Sequence, residues 1–322
     1  MCTKLKISSS AILLTFLSLC WVAGLTAINQ DAGTTGFNSL KLVYSAHANA
    51  MGQAMTGVVT NVDGMQFNPA SIIRLPQRAV SSTYMNYFLD TQGGSVQLLM
   101  PKDKYSAYGV FINYLNFGSI DRTEVDQNGN LIETGETFGA QNIIIGASLA
   151  KLANPAIDLG GTVKMVYDKI DDSSAAAVMI DAGIIHHPMN EKVKVGLSMK
   201  NFGRQITYYT GDKYKERLPL TFTAGFSYQI RNDILTALDI SKATGQNFVG
   251  KFGVDYTLNP YLQLRAGYKT NAGDWRTGGT WENASGISAG LGWIWKSYNI
   301  DYALSSYGDL GFVNQVSLKH NF

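Results

Sequence analysis

From about residue 79 to the C-terminus the chain repeats one pattern. Segments of roughly ten residues alternate between apolar and polar positions and are separated by turn residues. In residues 248–258 one face carries Phe248, Gly250, Phe252, Val254, Tyr256 and Leu258, and the other Val249, Lys251, Gly253, Asp255 and Thr257. Residues 157–167, 193–200, 220–229, 262–269, 287–295 and 298–304 behave likewise. The period is two rather than 3.6, so these are strands. Short turns are expected at 101–104, 152–155, 188–192, 231–233, 259–260 and 296–297. Generally longer polar loops are expected between them at 90–94, 117–137, 169–174, 203–218, 242–246, 270–285 and 306–311. Short turns at one end and long loops at the other predict an all-β fold, a fourteen-stranded antiparallel transmembrane β-barrel spanning 79–322. The even count puts both ends of the barrel on the short-turn, periplasmic side.

The N-terminus reads as a secretory signal peptide over 1–27. Lys4 and Lys6 precede an apolar run over 11–22, and cleavage is expected after Gly24 or Ala27. Both cysteines, Cys2 and Cys20, fall inside this leader. The mature chain is therefore expected to hold no disulfide, thiol nucleophile or cysteine-bound metal.

Composition narrows the class. The charge balance is 26 Lys+Arg to 24 Asp+Glu, and charged residues make up only 16%. A helical membrane bundle is excluded, because only the leader approaches the length of a spanning helix. Nucleic acid is an unexpected partner without a basic stripe. A soluble β-sandwich would also alternate, but it would carry more surface charge than this. It would also not place Tyr228, Tyr256, Tyr261, Tyr268, Trp293, Trp295, Tyr298 and Phe322 near segment ends, where the aromatic girdles of a barrel belong. Phe322 ends the last alternating segment and resembles the C-terminal signal read by the barrel assembly machinery.

Ten charges fall on the less hydrophobic strand faces: Asp158, Lys164, Asp181, Lys194, Asp239, Lys251, Asp255, Arg265, Asp301 and Lys319. Facing lipid, a Lys or Arg near the midplane would cost roughly 2–4 kcal/mol. They are expected to face the lumen and pair there. They form either a polar pathway or a structural network filling a closed interior. Mixed signs favour the network. Residues 105–115 and 143–150 are apolar on both faces, so their inner faces line a hydrophobic pocket or pack on a plug.

Residues 28–78 are not strand-like throughout. They are too few for a separate soluble domain with a large core, and suit a plug inside a wide barrel. The order Ala32-Gly33, Gly36, Leu40, Ala48, Ala50-Met51-Gly52, Ala54, then Asn68-Pro69-Ala70, stands ahead of the alternating barrel. This order resembles the PorV/PorQ family within the FadL-like outer-membrane proteins. Asn-Pro-Ala alone is a weak signal, since Asn154-Pro155-Ala156 repeats it at a plain turn. The Met-Gly-x-Ala block at the right distance before it is the specific part. His47 stands where relatives carry a basic residue. The resemblance implies a fourteen-stranded barrel in the outer membrane of a diderm bacterium, with Met51, Gly52, Ala54, Asn68, Pro69 and Ala70 in the plug. It also implies one of two roles. The preferred one is a type IX-like cargo shuttle or docking component, contacting secreted cargo proteins or a surface attachment complex. The alternative is a FadL-type transporter of long-chain fatty acids or other hydrophobic small molecules.

Other chemistry is weakly represented. His186-His187 precedes Pro188 at a turn and lacks further metal ligands. No convincing His–Ser partner for nucleophilic catalysis is visible, so no enzyme, catalytic residue, cofactor or metal is expected. In Asp126-Gln127-Asn128-Gly129-Asn130 the Gly falls too early for a calcium loop. Asn128-Gly129 reads instead as the turn of a hairpin protruding beyond the membrane. Residues 208–214 and 275–281, rich in aromatics and Gly, read as a binding loop or a folded lid.

Overall fold

The structure is a computed structural model that describes residues 33–188, 192–275 and 278–322. The expected leader, both cysteines and Ala32 of the N-terminal motif lie outside the described residues.

The alternation becomes fourteen strands that close on themselves. They are β1 (Ala79–Asn86), β2 (Gln92–Asp103), β3 (Ser106–Val125), β4 (Leu131–Asn154), β5 (Ile157–Ile170), β6 (Ser173–His186) and β7 (Val193–Thr207). β8 (Thr221–Arg231), β9 (Ile234–Ala243), β10 (Phe248–Asn259), β11 (Leu262–Lys269), β12 (Ile287–Trp295), β13 (Tyr298–Ser306) and β14 (Phe312–Asn321) complete the circuit. Each strand pairs antiparallel with its sequence neighbours, and β1 pairs with β14 from Ala79↔Asn321 to Asn86↔Asn314. Closure leaves no unpaired edge in hydrocarbon, which a spanning sheet requires. The Phe322 amide extends the seam by donating to the Arg78 carbonyl at 2.9 Å.

Side chains divide by parity. On β14, Phe312, Val316 and Leu318 are exposed, whereas Val313, Gln315, Ser317 and Lys319 are buried. The outer surface carries Val110, Ile112, Ile145, Val163, Ile184, Leu197, Phe222 and Leu291, a belt that water would solvate poorly and lipid well. At the turn end, Trp295, Tyr298, His320 and Phe322 form an exterior aromatic ladder. The Tyr298 and His320 rings stack at 4.3 Å, and the His320 and Phe322 rings meet edge-on at 4.5 Å. No helix among the described residues is long and apolar enough to cross a membrane.

Two expected loops are strand instead. Most of 117–137 continues β3 and β4, which reach 20 and 24 residues, about twice what a bilayer crossing needs. Their tip is the Asp126–Asn130 turn. Asp126 accepts the amides of Asn128 and Asn130 at 2.7 and 2.8 Å, and Gly129 takes φ 83°. The polar character of this stretch marks a hairpin standing in water rather than an irregular loop. Residues 169–174 close as a two-residue turn, with Asp171 at φ 53°.

Residues 33–78 fill the barrel. They contain 3-10 turns at Asn38–Lys41, Val62–Gln66 and Pro69–Ile72, and one short helix, α1 (Ala46–Ala50). Ser45 caps α1 by accepting the Ala48 amide, and Asn61 and Asn68 cap the later turns by accepting the amides of Asp63 and Ala70. The protein core is the interface between this segment and the barrel wall.

Candidate functional site

The lumen is the candidate site, and its first feature is how closely the plug approaches the wall. Eight strands place a glycine inward where the plug passes, its backbone at five of them: Gly109 on β3, Gly160 on β5, Gly183 on β6, Gly196 on β7, Gly225 on β8, Gly253 on β10, Gly267 on β11 and Gly290 on β12. A Cβ at any of these positions would lie closer than 3.0 Å to a plug atom. The Met51–Gly52 peptide sits against Gly253 and Gly267, and Thr56–Gly57 against Gly196 and Gly225. Asn68–Ala70 sits against Gly160 and Gly183, Met65 against Gly109, and Ala50 against Gly290. Absence of a side chain on the wall therefore admits the plug main chain. Gly52 itself is in the left-handed region at φ 59°, which non-glycine residues rarely adopt.

The motif residues sit at these windows. Met51, Ala54, Asn68, Pro69 and Ala70 are buried. Asn68 links plug to wall: its amide donates to Thr56 O at 2.9 Å and to Ile184 O at 3.1 Å. In Asn154-Pro155-Ala156 the same three residues make only a local turn, with Asn154 accepting the Ala156 amide.

The second feature is charge. All ten charges singled out from the sequence lie on inward positions, Lys194 and Lys251 half-buried and the others buried. Five of them join the plug in two charge networks. Arg265 bridges Asp255 at 2.8 Å and Asp301 at 2.6 Å, and Lys319 bridges Asp301 at 2.8 Å and the plug's Asp63 at 2.7 Å. Asp63 also accepts from Ser45 Oγ. His47 Nε2 lies 3.3 Å from Asp255, while its Nδ1 accepts from the Asn61 amide. With Nδ1 accepting, the neutral ring carries its proton on Nε2, which faces Asp255. Burial, and then the Arg265 charge, lower the His47 pKa, outweighing the opposite pull of Asp255. At the turn end, Arg74 of the plug meets Asp158 at 2.7 Å, and His187 meets the same carboxylate at 2.6 Å. Lys164 and Asp181 pair within the wall at 2.6 Å. Asp239 instead accepts the Met55 and Thr56 amides, both at 3.0 Å, so a wall carboxylate holds the plug backbone directly.

The sequence reading missed Asp63, Arg74 and His47 as partners of these charges, and missed the glycine windows. The signal for the windows was available as an inward glycine at mid-strand in eight strands. The plug partners carried none, because their spacing follows no repeat.

The lumen is chemically divided. Toward β2–β6 the plug packs on an apolar cluster that includes Tyr44, Met65, Phe111, Leu115, Ile144, Val166 and Met179. The doubly apolar strands noted in the sequence thus pack against the plug. Toward β7–β11 lies a cavity of about 380 Å³, on the loop side of the plug and lined largely by polar groups. Trp275 and Tyr307, with rings 4.5 Å apart, form part of its wall, and Tyr307 contacts Tyr87 and Phe88. Of the two tryptophans in the 275–281 stretch, Trp275 packs inward and Trp281 is exposed. Among the described residues no cluster of three or more His, Asp or Glu could hold a metal ion.

No family model matches the chain, and no curated protein matches it. Solved structures do. The chain is similar to the toluene transporter TbuX of Ralstonia pickettii, with TM-score 0.59, 14% identity and coverage of 87% of this chain and 98% of that one. It is similar to the toluene transporter TodX of Pseudomonas putida, with TM-score 0.60, 14% identity and coverage of 87% and 98%. It is also similar to a FadL homologue of Pseudomonas aeruginosa, with TM-score 0.56, 13% identity and coverage of 87% and 99%. Near-complete coverage at such low identity supports the FadL-like fold of the family resemblance and not its narrower PorV/PorQ identity, and the chain is a FadL-like fourteen-stranded β-barrel.

Proposed function

We propose that the protein is an outer-membrane transport barrel that passes hydrophobic small molecules, with residues 33–78 as its gate. The observation that carries this reading is the plugged fourteen-stranded barrel itself, matched over nearly the full length of the toluene transporters. The apolar sector beside β2–β6 supplies surface along which a hydrophobe could pass a displaced plug. Its partners are membrane lipid and the solute. Proteoliposome uptake of a radiolabelled alkylbenzene tests the reading. Uptake above empty vesicles and above a plugless-porin control supports it, and uptake equal to empty vesicles refutes it.

A second reading, docking of secreted proteins, draws on a different observation. The plug is tied to the wall by buried ion pairs, and the β3–β4 hairpin projects well beyond the belt with Val125, Leu131 and Ile132 exposed. A static plug and a projecting apolar tip suit a protein-contacting role. Phe322 as an assembly signal belongs to either reading.

A further inference from the structure

The cavity beside β7–β11 is lined by four lysines, Lys41, Lys200, Lys251 and Lys269, against one lining carboxylate, Asp274. Three lumenal cations elsewhere are neutralised: Lys164, Arg265 and Lys319 each have a carboxylate within 3 Å. The cavity lysines are not. None of them forms an ion pair among the described residues. Lys41 donates to Thr35 and Asn38 at 2.7 and 2.9 Å. Lys200 has a single long bond, 3.4 Å, to the Gln66 carbonyl and lies over the Phe67 ring. Lys269, only 5% exposed, sits 4.9 Å over both Trp275 and Tyr307. Lys251 lies directly across from Asp239 in the β9–β10 register without an ion-pair contact, so this carboxylate, which keeps its charge while its Oδ2 accepts two plug amides, and Asp274 together offset only part of the four ammonium charges.

Ammonium groups held together away from water repel one another, and desolvation adds to the penalty. A cleft of one sign with low-dielectric walls concentrates counter-ions. Among the described residues the lining carries no arginine fork for a planar carboxylate, while lysines act as point charges that suit several anionic oxygens at once. Thr221, Ser241 and Gln246 supply hydroxyl and amide groups around them. At about 30 Å³ per water, the cavity has room for roughly a dozen waters or one small organic anion. Half-buried Gln246 and exposed Asp274 place its rim on the loop side.

We infer that this cavity is a binding site for a small polyvalent anion bearing phosphate or carboxylate groups, entered from the loop side and distinct from the apolar sector. This goes beyond the transport reading and does not depend on it. A barrel that moves no hydrophobe could still bind the anion, and the converse also holds.

The test is calorimetric titration of the detergent-solubilised barrel with pyrophosphate, citrate and decanoate at about 20 mM salt, where screening is weak. The expected result is saturable binding of pyrophosphate or citrate, about one per chain. Lys251→Gln and Lys269→Gln should each weaken it by at least about tenfold, and Lys104→Gln at the β2–β3 turn should leave it unchanged. Whichever of pyrophosphate and citrate binds more tightly identifies the anion's chemistry. Should the variants fail to fold, acetylation of the wild-type protein serves instead, and the bound anion should protect Lys251 and Lys269 specifically. No saturable binding, binding unaltered by both substitutions, absence of protection, or tighter binding of decanoate than of either polyvalent anion would overturn the assignment.

Discussion

If wall glycines are what admit the plug, filling one should loosen it without harming the barrel. Gly267 on β11 is the sharpest case, because a Cβ there would collide with the Met51–Gly52 main chain, which cannot rotate away as a side chain could. Overpacking a tight site costs about 1–3 kcal/mol, and more where backbone must move. The strand propensity gained by replacing a glycine with a β-branched residue is present whether the plug is seated or displaced, so it cancels. For Gly267→Val the net is about 2 kcal/mol against the seated plug, or roughly a thirtyfold rise in the displaced population. Half-buried Lys41 and exposed Arg74, which is bridged to Asp158, lie in the plug and report on it, since trypsin can cleave there only when the surrounding backbone leaves the wall. When opening is fast relative to cleavage, the cleavage rate follows the open population. Gly267→Val should therefore speed cleavage at these residues by roughly thirtyfold. Gly161→Val should not, because Gly161 faces outward and its added Cβ finds its nearest neighbour, the Asp181 carbonyl, at an ordinary 3.8 Å. Equal cleavage rates in Gly267→Val and wild type, with both barrels intact by circular dichroism, would refute the window argument.

Three further outcomes follow from the same contacts. Arg265→Met leaves Asp255 without its cation and Asp301 with Lys319 alone, so it should destabilise the protein by roughly 3–5 kcal/mol in urea unfolding; adding Asp255→Asn should recover part of the loss. The His47 pKa is lowered in the seated plug, so above the ordinary value of about 6.5 both states are neutral, and below it only the displaced plug takes the proton. Seating should therefore weaken as pH falls from about 7.5 to 5.5, and His47→Gln should flatten that dependence in the trypsin assay. Replacing residues 117–139 by a two-residue turn should leave the barrel's thermal stability and alkylbenzene uptake unchanged; a loss of uptake would assign the hairpin to transport.

Much of the fold was legible because a barrel wall imposes period two on every strand, and the inner face must be polar, small or plug-facing. The outer and inner faces of β10 and β14 could be written directly from the sequence. The extent of β3 and β4 was not legible, because a hairpin standing in water alternates weakly and looks like a polar loop. The site was half legible. Asp255, Arg265, Asp301 and Lys319 announce themselves by their strand faces, but Asp63 and His47 lie in a segment without periodicity. Their pairing depends on how the plug threads the lumen, a non-local fact. Asp239 shows the limit most clearly. Its face predicts a lumenal charge seeking a cation, whereas it receives two backbone amides.

In the proposed transport, solute passes only when the plug leaves the wall. The Ala46 amide lies 3.0 Å from Ser317 Oγ, where plug and β14 meet. Cysteines at both positions, Ala46→Cys with Ser317→Cys, can be oxidised to tether one to the other. The most direct measurement is alkylbenzene uptake into proteoliposomes carrying this variant, before and after reduction. The account predicts uptake near that of empty vesicles when the tether is formed and recovery to the wild-type rate when it is reduced. Equal uptake in the tethered and reduced states would contradict it.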